Sequence, residues 1–560
     1  MIGISAEDWY QNASAASQTG DLVGALGAIH EGLKAFPDAP FLWHAGGSLL
    51  LMQGNPDEAA EHFGKAFALE PKQFDHAVDQ AIALSGADRN EEALKVLARI
   101  EKKGAKFAHY CSTRGNAERG AGHHGKAARW YDRALKIEPD RPKALLGRAN
   151  VALERGEPKA LQWFDRAQQV DPGNPHVWLG KAQALDVAGD HDGALTIMRQ
   201  ITAQAPGFVD GLRYLAQLRH ASGDRDFASH YADAAKAMPQ DPNIPDGWCK
   251  TLAALELNAE AMEVAAEARR SSQPSAYFAM LEAVYSGAAG DHDRADAIFA
   301  DLDWPGSDRL LHEARHRVRR EEFDRAESLL DAVIAENSGD IAAWSLRDML
   351  WRLTDDPRAE WLHGQEGLIQ LRPLAGRQKT ITEAIATLRE LHEGSPMPLG
   401  QSLRGGSQTL GVLFHRAEPI LQDLQRAIVK TLEEYRVGLP ALDPEHPLLR
   451  HRAAPWQLAG SWSVRLTGGG DFHAAHIHPS GIVSSALYLV VPDEAHGSDR
   501  QGWLELGRPP PDLGLDLPPL RSIEPQEGHL ALFPSTLYHG TTPFGSAERM
   551  TVAFDVVTKP

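Results

Sequence analysis

Cysteine is almost missing from this 560-residue chain: Cys111 and Cys249 are the only two. Two thiols so far apart build neither a disulfide framework nor a cysteine zinc site. Long apolar runs are missing too, since no stretch approaches the ~18 residues that a bilayer-crossing helix needs, so no membrane partner is expected. The opening segment MIGISAEDWYQNAS lacks the basic stretch and apolar core of a secretion signal, which makes a reducing cytoplasm the expected location. Basic charge is scarce as well. With 57 Lys+Arg against 76 Asp+Glu the net charge is −19, and phosphate binding needs the opposite sign, so nucleic acid is not expected as a ligand.

The deficit is uneven. From Leu371 onward there are 17 Lys+Arg against 20 Asp+Glu, which leaves 40 against 56 for everything before it. An acidic first part is compatible with a basic protein or peptide partner, and equally with helices kept soluble by their charge. A composition of 43% hydrophobic and 24% charged residues is that of an ordinary soluble protein. The length implies several domains.

What is present begins with a repeat. Pro37, Pro71, Pro139, Pro172, Pro206 and Pro239 are spaced by 33 or 34, with one double step of 68. Gly20, Gly54, Gly122, Gly156, Gly189 and Gly223 follow the same rhythm, with Asp88 in the vacant slot, and Ala25, Ala59, Ala93, Ala127, Ala160, Ala194 and Ala228 recur in phase. Each unit reads as two amphipathic helices, the glycine marking the turn between them and the proline ending the second. The small residue lets the pair approach closely. After Pro239 the phase loosens, although "AAGDHDRADAIFADL" and "RREEFDRAESLLDAVIAENSGD" look like worn copies. This pattern resembles the tetratricopeptide repeat. The resemblance implies an all-α superhelix over 1–370, seven or eight regular units plus two to four degenerate ones, with a face that holds an extended peptide or another protein. The alternative uses are a scaffold or a homodimer surface.

From Leu371 the helical period persists through "ITEAIATLRELHEG" and "AEPILQDLQRAIVKTLEEYRVG" and then stops. The region 371–455 therefore reads as connecting helices and the start of a second domain, and 456–560 as its β core. Short segments such as "GSWSVRLT", "SSALYLVV", "GWLELG", "GHLALFP" and "RMTVAFDVV", divided by glycine- and proline-rich turns, suggest a sandwich or jelly roll with the two helices packed on one sheet.

The chemistry lies in that core. His476 and His478, at i and i+2 on an expected strand, face the same way. His539 arrives from a distant segment, on a loop or strand start after the Phe533-Pro534 turn, and Arg549 and Thr551 alternate with apolar residues on the last strand. An imidazole set that leaves metal positions open suits Fe(II), and a buried arginine can grip a carboxylate with two parallel bonds. Together with "QSLRGGSQT" (401–409) and "GSWSVRL" (460–466), the order of motifs resembles a prokaryotic branch of the Fe(II)- and 2-oxoglutarate-dependent oxygenases. The resemblance covers roughly 380–560. It implies a double-stranded β-helix holding Fe(II), with His476 and His539 as ligands and 2-oxoglutarate and O2 as co-substrates. It also implies that Arg549 pairs with the far carboxylate of 2-oxoglutarate, helped by the Thr551 hydroxyl, and that Tyr488 donates a further hydrogen bond. Arg404 and Gln408 are candidates for substrate contact or support of the site, and Arg404 is equally readable as a loop residue held by backbone carbonyls. No catalytic side chain beyond the metal and co-substrate ligands is expected.

The departure from the common pattern is at 478, where an acid is usual. Three arrangements stay open: His478 is the third ligand; it bonds to a neighbour while His476 and His539 alone hold the metal; or His473 or Asp471 takes its place. Of the other histidines, His123 and His124 at a repeat turn read as solvated. The whole chain reads as a cytoplasmic dioxygenase hydroxylating a protein or peptide presented by the repeats. The alternatives are the same chemistry on a small molecule with the repeats used to dimerise, and a non-catalytic repeat protein that only retains a metal.

Overall fold

The computed structural model describes residues 4–271, 273–374, 378–395, 399–545 and 547–559. The first three residues of the opening segment lie outside them. Two compact units divide the chain, Met1–Ala184 and Leu185–Pro560, and the division falls within the helix Pro175–Val187.

Among the described residues, twenty helices, from Ala6–Gln18 to Phe323–Glu336, follow one another as ten hairpins, and an eleventh opening helix, Ile341–Leu353, ends the series. The turn inside each hairpin needs one residue in the left-handed region, where a Cβ is crowded. Gly20, Gly54, Gly122, Gly156, Gly189 and Gly223 take φ between +64° and +86°, and Asp88 takes +58° in its slot. Past Pro239, where the sequence phase loosens, the rhythm of turns continues, though the step from Gly290 to Glu321 shortens to 31. Glu256, Gly290, Glu321 and Asp355 continue it at φ +60°, +89°, +56° and +52°. Residue type drifted while backbone geometry stayed, at a cost of about 1 kcal/mol for each non-glycine.

The phased alanines are the close-approach points: Ala25, Ala59, Ala93, Ala127 and Ala194 are fully buried. In the helix His124–Ile137 the buried Ala127, Tyr131, Ala134 and Leu135 fall at i, i+4, i+7 and i+8, a single stripe. Tyr131 fills the space left by Gly147, where an added Cβ would stand 2.3 Å from its ring. His123 and His124 are not simply solvated, because both have carboxylate partners: His123 Nδ1 meets Glu118 at 2.9 Å, and the buried His124 meets Glu154 at 3.0 Å. Among the described residues no helix is long and apolar enough to cross a membrane.

Where the eleventh hairpin should complete itself, a single wide turn, Glu360–Gly364, leads into strand β1 (Gln370–Pro373). The other strands are β2 (Leu403–Arg404), β3 (Ser407–Gln408), β4 (Trp456–Leu466), β5 (Phe472–His473), β6 (Val483–Val490), β7 (Leu504–Leu506), β8 (Arg521–Ile523), β9 (His529–Pro534), β10 (His539–Thr541) and β11 (Arg549–Thr558). They form a six-stranded sheet in the order β1-β9-β6-β11-β4-β3, a three-stranded sheet β10-β7-β8 and the pair β2-β5. Every ladder among the described residues is antiparallel. A strand-rich second part after a helical first part is consistent with the jelly roll expected from the sequence.

Period-two alternation decides which residues face where. Leu487 and Leu489 of β6, Leu530 and Leu532 of β9, and Val552 and Phe554 of β11 point to one side of the large sheet, where the helices Gln378–Glu393 and Pro419–Val437 cover them. The opposite parity, Tyr488, Ala531 and Phe533, packs with Leu504, Leu506 and Ile523 of the small sheet. Arg549 and Thr551 have that inward parity on β11, and both are buried.

Candidate metal centre

His476 and His478 are not on a continuous strand as expected. His476 forms an isolated antiparallel bridge with His539: its N–H donates to the His539 carbonyl at 3.0 Å, and the His539 N–H donates back to the His476 carbonyl at 2.9 Å. This reciprocal pair locks two segments together at the first residue of β10. His478 follows just before the turn at Pro479-Ser480 and belongs to no strand.

The three imidazoles converge: each offers a nitrogen within 4.8 Å of the others. Ring centroids are 4.2 Å apart for His476 and His539, 5.0 Å for His476 and His478, and 5.0 Å for His478 and His539. Each Nδ1 faces an oxygen that can only accept. His476 Nδ1 lies 2.9 Å from the Ala474 carbonyl, His539 Nδ1 lies 3.1 Å from the Leu537 carbonyl, and His478 Nδ1 meets the carboxylate of Asp555. In its neutral form each ring therefore carries its proton on Nδ1 and presents the Nε2 lone pair. His476 Nε2 and His478 Nε2 stand 3.0 Å apart. Two lone pairs at that distance repel unless an electrophile lies between them. Burial, then the neighbouring His478, depresses His476 to about 3. Burial, followed by His476, also holds His539 well below the usual histidine range. Protons are thus poor occupants, and a divalent ion that accepts imidazole nitrogen fits the donor set.

Asp555 was missed from the sequence, although it was legible there. It lies on β11 at the parity of Arg549 and Thr551, so it had to face the same interior. Its contact with His478 supplies, one residue removed, the negative charge that a ligand at 478 would carry. Carboxylates in this position fix a ligand's tautomer and raise its basicity.

The other expected residues separate into two groups. Arg549 is 2% exposed, its Nε has no hydrogen-bond partner, and among the described residues no carboxylate pairs with it. Its guanidinium lies 5.5 Å from the Tyr488 ring centroid, and it is the charged group that acts on the buried Tyr488 hydroxyl. Burial pushes that hydroxyl up to about 12, so it remains a donor. Tyr488 and Thr551 are register partners across β6 and β11. A buried cation with no anion costs several kcal/mol, and a ligand carboxylate removes that cost. Arg549 is near enough to the cluster to help lower His473, whose first cause is burial and second is His476.

Arg404, by contrast, donates to the carbonyls of Gln401 and Leu403 at 3.0 and 3.1 Å and pairs with Glu256 of a repeat turn. Gln408 sits on β3 opposite Val464. Asp471 accepts from the Thr467 N–H at 2.9 Å and stands outside the three-histidine group, as does His473, whose Nδ1 lies 3.2 Å from Ser402 Oγ.

Comparisons with known proteins agree with both parts. Residues 460–555 match a family model described as "Putative 2OG-Fe(II) oxygenase". Residues 50–112, 112–175 and 158–218 match tetratricopeptide-repeat models. Among curated proteins, Protein FlbA of Caulobacter vibrioides is 28% identical over 149 residues, 27% of this chain and 25% of that protein. The match thus spans about a quarter of the relative's length. Among solved structures, MamA of Desulfovibrio magneticus covers 31% of this chain and 99% of its own at 18% identity and a TM-score of 0.28. PilF of Pseudomonas aeruginosa covers 37% and 96% at 19% identity and a TM-score of 0.32.

Proposed function

Proceeding from a chain that joins tetratricopeptide repeats to a domain of the 2OG-Fe(II) oxygenase family, we propose that it is an Fe(II)- and 2-oxoglutarate-dependent dioxygenase acting on a protein or peptide brought by the repeats. One observation carries the reading: three imidazole Nε2 atoms converge beside a buried arginine that lacks an anion. When bound, Fe(II) with 2-oxoglutarate and O2 supplies oxidative decarboxylation to succinate and CO2, with one oxygen atom going to a C–H bond of the substrate.

The chain's residues have separable tasks in this account. His476, His478 and His539 hold the metal by Nε2. Asp555 keeps the His478 proton on Nδ1. Arg549 pairs with the far carboxylate of 2-oxoglutarate, with the hydroxyls of Tyr488 and Thr551 donating beside it. Leu504, Leu506, Ile523 and Phe533 line the same interior and exclude water. Holding the reacting groups in line is the protein's main contribution. The acidity of the repeat-bearing part supports a basic polypeptide as substrate. Anaerobic loading with Fe(II) and 2-oxoglutarate, followed by admission of O2, tests the reading. Metal-dependent conversion of 2-oxoglutarate to succinate is expected even without substrate, at a slow uncoupled rate. A protein that binds Fe(II) yet neither binds nor consumes 2-oxoglutarate would refute it.

A further inference from the structure

The loops that carry the histidines are not held by the β-domain alone. Ile477, between His476 and His478, packs into an apolar cluster made largely of the last repeats, with Ala314, Val318, Leu346 and Met349. Tyr538, which precedes His539, belongs to the same cluster, and its hydroxyl accepts from Arg315 Nη1 at 2.7 Å. Arg315 is fixed in turn by Asp512, its Nη2 donating to both carboxylate oxygens at 2.9 Å. Three residues before His539, the Thr536 hydroxyl meets His363 Nε2 at 2.8 Å, and His363 Nδ1 meets Asp348 of the eleventh opening helix at 2.6 Å. On the other side, Leu399 packs against the apolar cluster of the middle repeats, and Arg404 pairs with Glu256. This anchors the loop that lays Ser402 Oγ 3.3 Å from His476 Nε2.

Each histidine-bearing segment thus has a repeat residue against its backbone neighbour. We infer that the last repeats form a wall of the metal centre and set its geometry, with Arg315 a positioning residue that acts on His539 through Tyr538. The inference rests on the three-histidine metal site proposed above. A tether of this kind makes metal affinity depend on side chains remote in sequence, so a partner that moves these repeats would alter the metal site directly.

Co(II) binding to the full chain tests this, read as affinity and as the ligand-field spectrum. Wild type is compared with Arg315→Met, Tyr538→Phe and the double variant, with His539→Ala as control. Tyr538→Phe removes one hydroxyl and leaves the ring in its cluster, so it reports on the hydrogen bond without unfolding the domain. Each single variant is expected to bind Co(II) about 10-fold more weakly and to shift the spectrum. The double variant is expected to be no weaker than Arg315→Met alone, because both act along one path. Wild-type affinity and spectrum in either single variant would overturn the inference. So would effects that add in full, since Arg315 would then act by another route. Equal Co(II) binding by wild type and His539→Ala would instead remove the metal centre itself.

Discussion

The early and late repeats share one hairpin and differ in where their charged side chains go. In the early repeats the strong pairs stay among helices of the repeat. Arg119 reaches Glu154, and Arg148 reaches Asp132 and Glu157 at 2.8 and 2.7 Å. In the late repeats some stay, such as Arg294 with Glu282 and Arg309 with Glu313, but others leave it. Arg315 and Arg319 both hold Asp512, Arg352 donates to the carbonyls of Gly507 and Pro518, and Asp348 fixes His363 against Thr536. The same local rules thus make either a surface or a wall. The backbone of a repeat does not decide which; the destinations of a few arginines and one histidine do.

The sharpest break between the regions is expected at the histidines. His539→Ala should lower Co(II) or Fe(II) affinity by more than about 100-fold, measured by anaerobic titration, because a third of the donor set is lost while the main-chain bridge to His476 is kept. Next, 2-oxoglutarate at 100 times its dissociation constant should stabilise metal-loaded wild type by about 2.7 kcal/mol. Arg549→Met should show no such rise in melting temperature, and an equal rise would dissociate Arg549 from the co-substrate.

Acid should weaken the β-domain next, as it should the repeats, where burial also lowers His230 and His316. Burial depresses both His392 and His446 of the β-domain to about 4. Both rings stay neutral when folded and take up a proton when unfolded between that value and about 6.5. Their contribution is therefore complete above the unfolded value and declines as pH falls toward the folded one, by on the order of 3 kcal/mol each across the whole window. Urea titrations at pH 7 and pH 5 should register the loss, and replacing His392 with Gln should flatten the difference.

Asp555→Asn keeps the shape and removes the charge behind His478. Metal affinity should fall about 10-fold, and 15N spectra of the histidines should show His478 losing its fixed Nδ1–H form. The smallest effect is expected far from the centre: Gly122→Ala forces a Cβ into φ +77° and should cost about 1 kcal/mol of stability in thermal melts, with Co(II) affinity unchanged.

Much of this architecture was legible because several signals coincide. Glycine, alanine and proline agree at one period, so even Asp88 could be assigned to its turn. That agreement fails where Glu256 and Glu321 take the left-handed position, and there the sequence no longer reports what the backbone still does. Strands β6 and β9 announce themselves as short apolar runs between turns and β11 by alternation, whereas β2, β3 and β5, at two residues each, are too short to show a pattern. β1 was missed for a related reason, since four residues beside a helical region give no pattern of their own. At the site, His476, His539 and Arg549 carried their own motif. The support of Tyr538 by Arg315 spans 223 residues, and no local rule predicts such a contact. Asp555 was within reach of parity alone.

The central claim is that His478, backed by Asp555, is the third imidazole of the centre. Titrating Co(II) into wild type and His478→Ala tests it most directly, with affinity and ligand-field spectrum read together. The account predicts one tight site in wild type, and in His478→Ala an affinity at least about 100-fold weaker with an altered spectrum. An unchanged spectrum and affinity in His478→Ala would contradict it, leaving His476 and His539 to hold the metal without their neighbour.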